Sequence, residues 1–270
     1  MKIRGFVRSL AALALLLVAA AMLSSQTTGS IEGTVSDASQ AAVPGAKVRI
    51  VNQATQIAGD FSTNETGYYL AQNLPVGTYD VEITSGGFRA FTVKGVKLDA
   101  TARVRVDGTL QLGQVQETVT VEASRARVET TSGTVSTTIT RAQVDTAVLN
   151  GRNYSRLAML VPGAVYHSGT DELSGAGLSA PGSVVSINGV NNKSSGWFVD
   201  GAYNMNVGNG EANPHIPVLD SIEEVQVQTA NYSARYGSTG GAVINAVTRG
   251  GTRDLHFSAY EYFRNDKLDA

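Results

Sequence analysis

Residues 30–50 read SIEGTVSDASQAAVPGAKVRI, and the spacing of their apolar side chains decides the fold class. Ile31, Gly33 and Val35 alternate with Glu32 and Thr34. After a turn at Pro44-Gly45, Ala46, Val48 and Ile50 alternate with Lys47 and Arg49. A period of two gives a strand one buried and one wet face. The same pattern returns at Tyr79, Val81 and Ile83, and at Val104 and Val106. Turn signals at 64–67, 75–77 and 86–87 separate these runs. Several short strands between regular turns predict a β-sandwich over residues 30–112.

Composition agrees and excludes a good deal. The 270 residues suffice for about two domains. A net charge of −2 carries no mark of a nucleic-acid binder. The 42% hydrophobic and 16% charged fractions fit packed domains rather than a disordered chain. Cysteine is absent, which excludes disulfides, thiolate metal sites and cysteine nucleophiles. The three histidines (His167, His215 and His256) are far apart in sequence, so histidine-rich metal chemistry is not expected and no cofactor is implied.

Upstream of the sandwich, Lys2, Arg4 and Arg8 precede an apolar run over 10–23. Basic residues, a short apolar stretch and then small residues form a secretory signal peptide, here placed at 1–25. The run is shorter than the ~20 residues of a spanning helix. An uncleaved anchor is the other reading. Export without cysteine fits a bacterial periplasm or outer membrane.

Within the sandwich, the ordered motifs Gly33-x-Val35-x-Asp37, Val43-Pro44-Gly45-Ala46-x-Val48, Thr63-x-x-x-Gly67-x-Tyr69 and Leu74-Pro75-x-Gly77-x-Tyr79-x-Val81 resemble the carboxypeptidase regulatory-like domain. That resemblance implies a transthyretin-like seven-stranded β-sandwich. It does not imply peptidase activity.

Residues 113–136 follow as a linker. Inside it, Glu117, Thr118, Val119, Thr120, Val121, Glu122 and Ala123 form an acidic residue followed by alternating Thr and Val. The run resembles the TonB box of outer-membrane transporters. An extended segment can add a strand to another protein's sheet edge, and β-branched residues favour that extended state. Its polar flank lets the segment stay mobile. The alternative is a last sandwich strand, paired at home, because a strand needs the same pattern.

Residues 137–250 change character. Thr140-Arg141-Ala142-Gln143 fits a capping box, with a short helix expected to about Leu149 and Asn150-Gly151 ending it. Tyr154, Leu157, Leu160 and Val161 suggest a second helical stretch, stopped by Pro162-Gly163. A polar, Gly-rich region covers 167–182. Strands are expected at 184–189, 197–201, 222–229 and 242–248. The motifs Leu160-x-Pro162-Gly163, Val199-Asp200-Gly201, Ile222-x-x-Val225-x-Val227, Tyr236-Gly237 and Gly240-Gly241-Ala242-Val243-Ile244-Asn245-x-x-Thr248 together resemble the plug of TonB-dependent receptors. The arrangement resembles that of Oar-like receptors, which place a regulatory-like sandwich before the plug. Glycines 237, 240 and 241 are expected to allow tight turns and close backbone approach. Many plugs carry Arg-Gly-Pro before the Tyr-Gly; here 229–235 differ, so no role is carried to Arg235. The alternative is an ordinary small α/β domain with Gly-rich turns.

Residues 251–270 begin a further element. Leu255, Phe257 and Ala259 alternate with His256, Ser258, Tyr260 and Tyr262; the cluster Tyr260, Tyr262 and Phe263 resembles an aromatic girdle, and residues 261–266 resemble the first strand and turn of an outer-membrane β-barrel. A plugged barrel of 22 strands needs several hundred residues, so the barrel itself is missing and the chain reads as a fragment. The expected fold class is therefore mainly β: a sandwich, an α+β plug and the start of an absent barrel.

Three functions follow. The resemblance implies the N-terminal part of a TonB-dependent transporter in the outer membrane, this segment on its periplasmic side. Its partners would be a TonB-type energy transducer, the missing barrel and an unknown transported ligand, with no nucleic acid. The alternative is an exported adhesin or binding module, with Tyr68, Tyr69 and Phe88 as candidates for carbohydrate or protein recognition. An enzyme is not expected, because Asp200, Glu223 and His215 have a spacing that supports no known catalytic constellation.

Overall fold

A computed structural model of the chain describes residues 27–113, 118–122, 133–149, 152–166, 185–190, 192–205, 215–237 and 239–261. The signal segment, Glu117, Ala123, Asn150-Gly151 and the Gly-rich stretch 167–182 lie outside the described residues.

Two sheets make the first unit. In one, β1 (Thr28–Asp37) runs antiparallel to β4 (Tyr68–Pro75) on one side. On its other side it runs parallel to two short strands, β7 (Arg103–Arg105) and β8 (Gly108–Leu110). The other sheet has the order β3 (Ala58–Ser62), β2 (Lys47–Asn52), β5 (Gly77–Thr84), β6 (Ala90–Leu98), β9 (Thr118–Glu122). Its first three contacts are antiparallel and the last, β6 with β9, is parallel. Ile31, Val35, Tyr69 and Val104 from one sheet and Val48, Ile50, Val81, Ile83 and Leu98 from the other share one core. Burying each such aliphatic side chain is worth ~1.5–3 kcal/mol, so the alternation at 31–35, 46–50 and 79–83 fixes both the layers and their inner faces.

β7 and β8 are one strand interrupted at residues 106–107. The Val106 N–H still donates to the Glu32 carbonyl at 2.7 Å. At the next position the Asp107 carboxylate takes the Thr34 N–H at 2.8 Å, in place of a backbone carbonyl. Counted as one, they complete the seven strands expected of the sandwich, and β9 adds an eighth from beyond it.

The second unit is a five-stranded sheet of order β10 (Val135–Ile139), β15 (Ile222–Ala230), β16 (Val243–Thr248), β13 (Gly196–Val199), β14 (Ala202–Tyr203). Only β13 with β16 is parallel. β11 (Ala164–Tyr166) and β12 (Val185–Ile187) form a separate antiparallel pair. Helix α1 (Arg141–Thr146) begins at the expected capping box, with the Thr140 N–H donating to Gln143 Oε1 at 2.9 Å. It stops short of Leu149: Ala147 is extended, and Leu149 turns back onto the core. The second helical stretch is a 3₁₀ helix, Tyr154–Leu160, capped by the Asn153 side chain. Trp197 and Tyr154 meet edge to face at 5.9 Å in a core with Ile139, Leu157, Val225 and Ile244.

Residues 249–261 carry no strand, and Leu255 and Phe257 are 95% and 92% exposed. The alternation expected of a barrel strand has no neighbour among the described residues to pair with.

Candidate functional site

The segment singled out for docking is already a strand. Thr118, Val119, Thr120, Val121 and Glu122 pair in parallel with Ala90, Phe91, Thr92, Val93 and Lys94 of β6. Of the two readings left open by the sequence, the pairing seen is that of a strand held at home. The Thr-Val alternation that suits docking suits home pairing equally, and β6 would otherwise be the sheet's outer strand. β9 in turn is terminal in the sheet order, so it has one partnered and one unpartnered side among the described residues.

The plug-like motifs converge on the hairpin between β13 and β14. Val199 pairs with Ala202, so Asp200-Gly201 is a two-residue turn. Both residues have positive φ, 50° and 79°, as the Asp-Gly type I′ hairpin requires. The Asp200 carboxylate accepts the N–H and the hydroxyl of Thr248, each at 2.8 Å, and so ties the turn to β16. Asn245 on β16 is fully buried. Its Oδ1 accepts the Gly201 N–H at 3.1 Å, and its Nδ2 donates to Thr27 Oγ1 of the sandwich at 3.1 Å. Asp200, Gly201 and Asn245 thus form one cluster.

The other motif residues lie apart from it. Pro162-Gly163 turns the chain between the 3₁₀ helix and β11, and the Gly163 carbonyl accepts the Asn188 N–H at 3.1 Å. Tyr236 is buried against Phe198, with ring centroids 5.0 Å apart. The reason expected for three glycines holds at Gly241 alone. A side chain there would lie 2.7 Å from Ser195 Oγ and 2.7 Å from Val190 Cγ2. Gly237 and Gly240 have ordinary space around them and no left-handed φ. Gly240 and Gly241 both donate N–H to the Ser194 carbonyl, at 2.8 and 3.0 Å.

A third set of residues was not singled out from the sequence. A register shift between Ile222 and Glu224 turns Ile222, Val225 and Val227 into the core and Glu224, Gln226 and Gln228 to the opposite face. That face meets Ala100 and Thr101 of the sandwich. The Ala100 N–H donates to Glu224 Oε1 at 2.7 Å, and Gln226 Nε2 returns a bond to the Ala100 carbonyl at 2.6 Å. The Thr101 hydroxyl donates to Gln226 Oε1 at 2.7 Å and accepts from Gln228 Nε2 at 3.1 Å. Thr101 has φ +55°, an outlier for a β-branched residue. Backbone strain of this kind costs ~1–3 kcal/mol and persists only where its surroundings hold it.

Glu224 is 2% exposed. Burial pushes its carboxyl up to about 7. The Ala100 N–H opposes this, the nearby Asp99 charge adds to it, and Lys97 offsets part. Lys97 and Asp99 form their own ion pair at 3.0 Å.

Asp200 and His215 take structural parts. Asp200 holds Thr248, and the His215 backbone is held by the Asn204 side chain at 3.1 and 2.7 Å. Among the described residues, no group of three or more acidic or histidine side chains is placed to hold a metal. Of the sandwich aromatics, Tyr69 is core, and the Tyr68 hydroxyl donates to Glu32 at 2.8 Å.

Comparison with known proteins finds two matching family models. The carboxypeptidase regulatory-like domain matches residues 30–111, and the TonB-dependent receptor plug domain matches residues 127–243. The TonB-dependent transporter Oar of Myxococcus xanthus is 26% identical over 243 residues, 86% of this chain and 21% of that protein. The chain therefore spans about a fifth of that relative's length. Among solved structures, the TIE protein of Bacillus anthracis is 20% identical over 32% of this chain and 17% of its own, with a TM-score of 0.25. The full-length major pilin SpaD of Corynebacterium diphtheriae is 19% identical over 32% of this chain and 30% of its own, with a TM-score of 0.26.

Proposed function

We propose that this chain, which carries a carboxypeptidase regulatory-like domain followed by a TonB-dependent receptor plug domain, is the periplasm-facing N-terminal part of a TonB-dependent transporter of the outer membrane. The plug closes the lumen of a β-barrel that residues 251–270 begin. The segment 117–123 docks an energy-transducing partner by adding to its sheet edge. A pull on that strand then loosens the plug and admits the ligand. The work is recognition and gating, with no bond made or broken.

The observation that carries this reading is the position of the docking strand. It is short, extended and, among the described residues, unpartnered on one side, and it is the strand before β10, the first strand of the plug sheet. The relative named above, similar over 86% of the chain, supports the same reading.

Deletion of residues 117–123 tests the docking role. Calorimetry with the periplasmic C-terminal domain of the cognate TonB-type transducer should show binding to the parent chain and none to the deletion. Equal affinity for both would overturn the reading.

A further inference from the structure

We propose that the sandwich presents the docking strand in place: an extended strand of the transducer adds to the outer side of β9 while β9 stays paired to β6. This inference rests on the docking reading above and states how docking is achieved. Three observations carry it.

First, β9 is terminal in its sheet. Its five registered pairs, Ala90 with Thr118 through Lys94 with Glu122, use only the side that faces β6. Among the described residues the other side has no paired strand, and a sheet edge of that kind presents its N–H and C=O groups to an incoming strand.

Second, a strand already held extended spares its partner the cost of ordering it. Here that is the backbone freedom of five residues, given up before any contact is made.

Third, the holding strand leads straight to the plug. β6 ends at Leu98, and two residues on, Ala100 and Thr101 grip Glu224, Gln226 and Gln228 on β15. β15 also pairs with β10, the strand that follows β9 in the chain. Force applied to β9 thus has two routes, one through β6 and the Ala100 and Thr101 contact, one along the chain to β10. Both meet at β15. Were β9 stripped from β6 on docking, the first route would be lost.

A disulfide between β6 and β9 tests this. The chain has no cysteine of its own. Thr92 and Thr120 are registered partners, and adjacent strands lie about 4.8 Å apart, inside the ~4.4–6.8 Å that a disulfide spans between Cα atoms. The double variant Thr92→Cys/Thr120→Cys, oxidised, should bind the transducer's periplasmic domain with a Kd within about threefold of the reduced form. Weakening by more than about tenfold on oxidation, restored by reduction, would overturn the proposal and leave the docking reading standing. No binding by the parent chain would instead overturn the docking reading, and this proposal with it. Lys94→Cys/Glu122→Cys guards against a first pair that disturbs folding. If both double variants fold and neither oxidises, β9 is not held at β6 and the proposal fails.

Discussion

Replacing Glu224 by Gln should change how the stability of this chain depends on pH. In the folded chain the carboxyl is pushed up to about 7 from an ordinary 4.5. The native state therefore binds more protons than the unfolded state between these values, and stability falls as pH rises through that window. Each pH unit is worth 1.36 kcal/mol, so the full loss above pH 7 is about 3 kcal/mol. It is absent below pH 4.5. Separating the sandwich from the plug hydrates Glu224 as unfolding does, so either event relieves the same charge. Gln keeps an oxygen for the Ala100 N–H but cannot ionise. Urea unfolding followed by Trp197 emission suits the measurement, because the chain has one tryptophan and it is buried in the plug core. The stability of E224Q relative to the parent should rise by roughly 2–3 kcal/mol between pH 5 and pH 8. A difference that is the same at both pH values would refute the reasoning, because a Glu224 that stays ionised throughout contributes no such term.

Two further substitutions probe the neighbouring geometry. Thr101→Val keeps the shape but removes the hydroxyl that links Gln226 and Gln228; it should destabilise the chain by ~1–3 kcal/mol, read as a lower urea midpoint and faster proteolysis between the two units. Gly241→Ala places a methyl 2.7 Å from Ser195 Oγ and Val190 Cγ2; it should cost ~1–3 kcal/mol in the Trp197-monitored transition, whereas Gly240→Ala, with 3.8 Å to its nearest neighbour, should be nearly silent.

Alternation made β1, β2 and β5 legible because each has one clean apolar face. β3, with Gly59 and Asp60 in its five residues, has no such face and lies at a sheet edge, so its pairing with β2 left no local mark. The Asp200-Gly201 turn was legible in kind, since few dipeptides take two positive φ angles. The partners of Asp200 and Asn245 were not, because Thr248 and Thr27 reach them across the sheet and across the two units. Glu224, Gln226 and Gln228 have the alternation of a wet strand face, yet they are buried. What covers them stands about 125 residues earlier in the chain, and no period in a single strand encodes a surface supplied from that far away. The 117–123 segment illustrates the converse: home pairing and docking demand the same residues, so only the topology separates them.

The sandwich meets the plug through Thr27 at its beginning and through Ala100 and Thr101 near its far end. Between them in sequence, the Ala54 carbonyl takes the Arg253 N–H from beyond the plug at 3.1 Å. Displacing the sandwich as a body therefore opens hydrogen bonds drawn from three separated stretches of its chain.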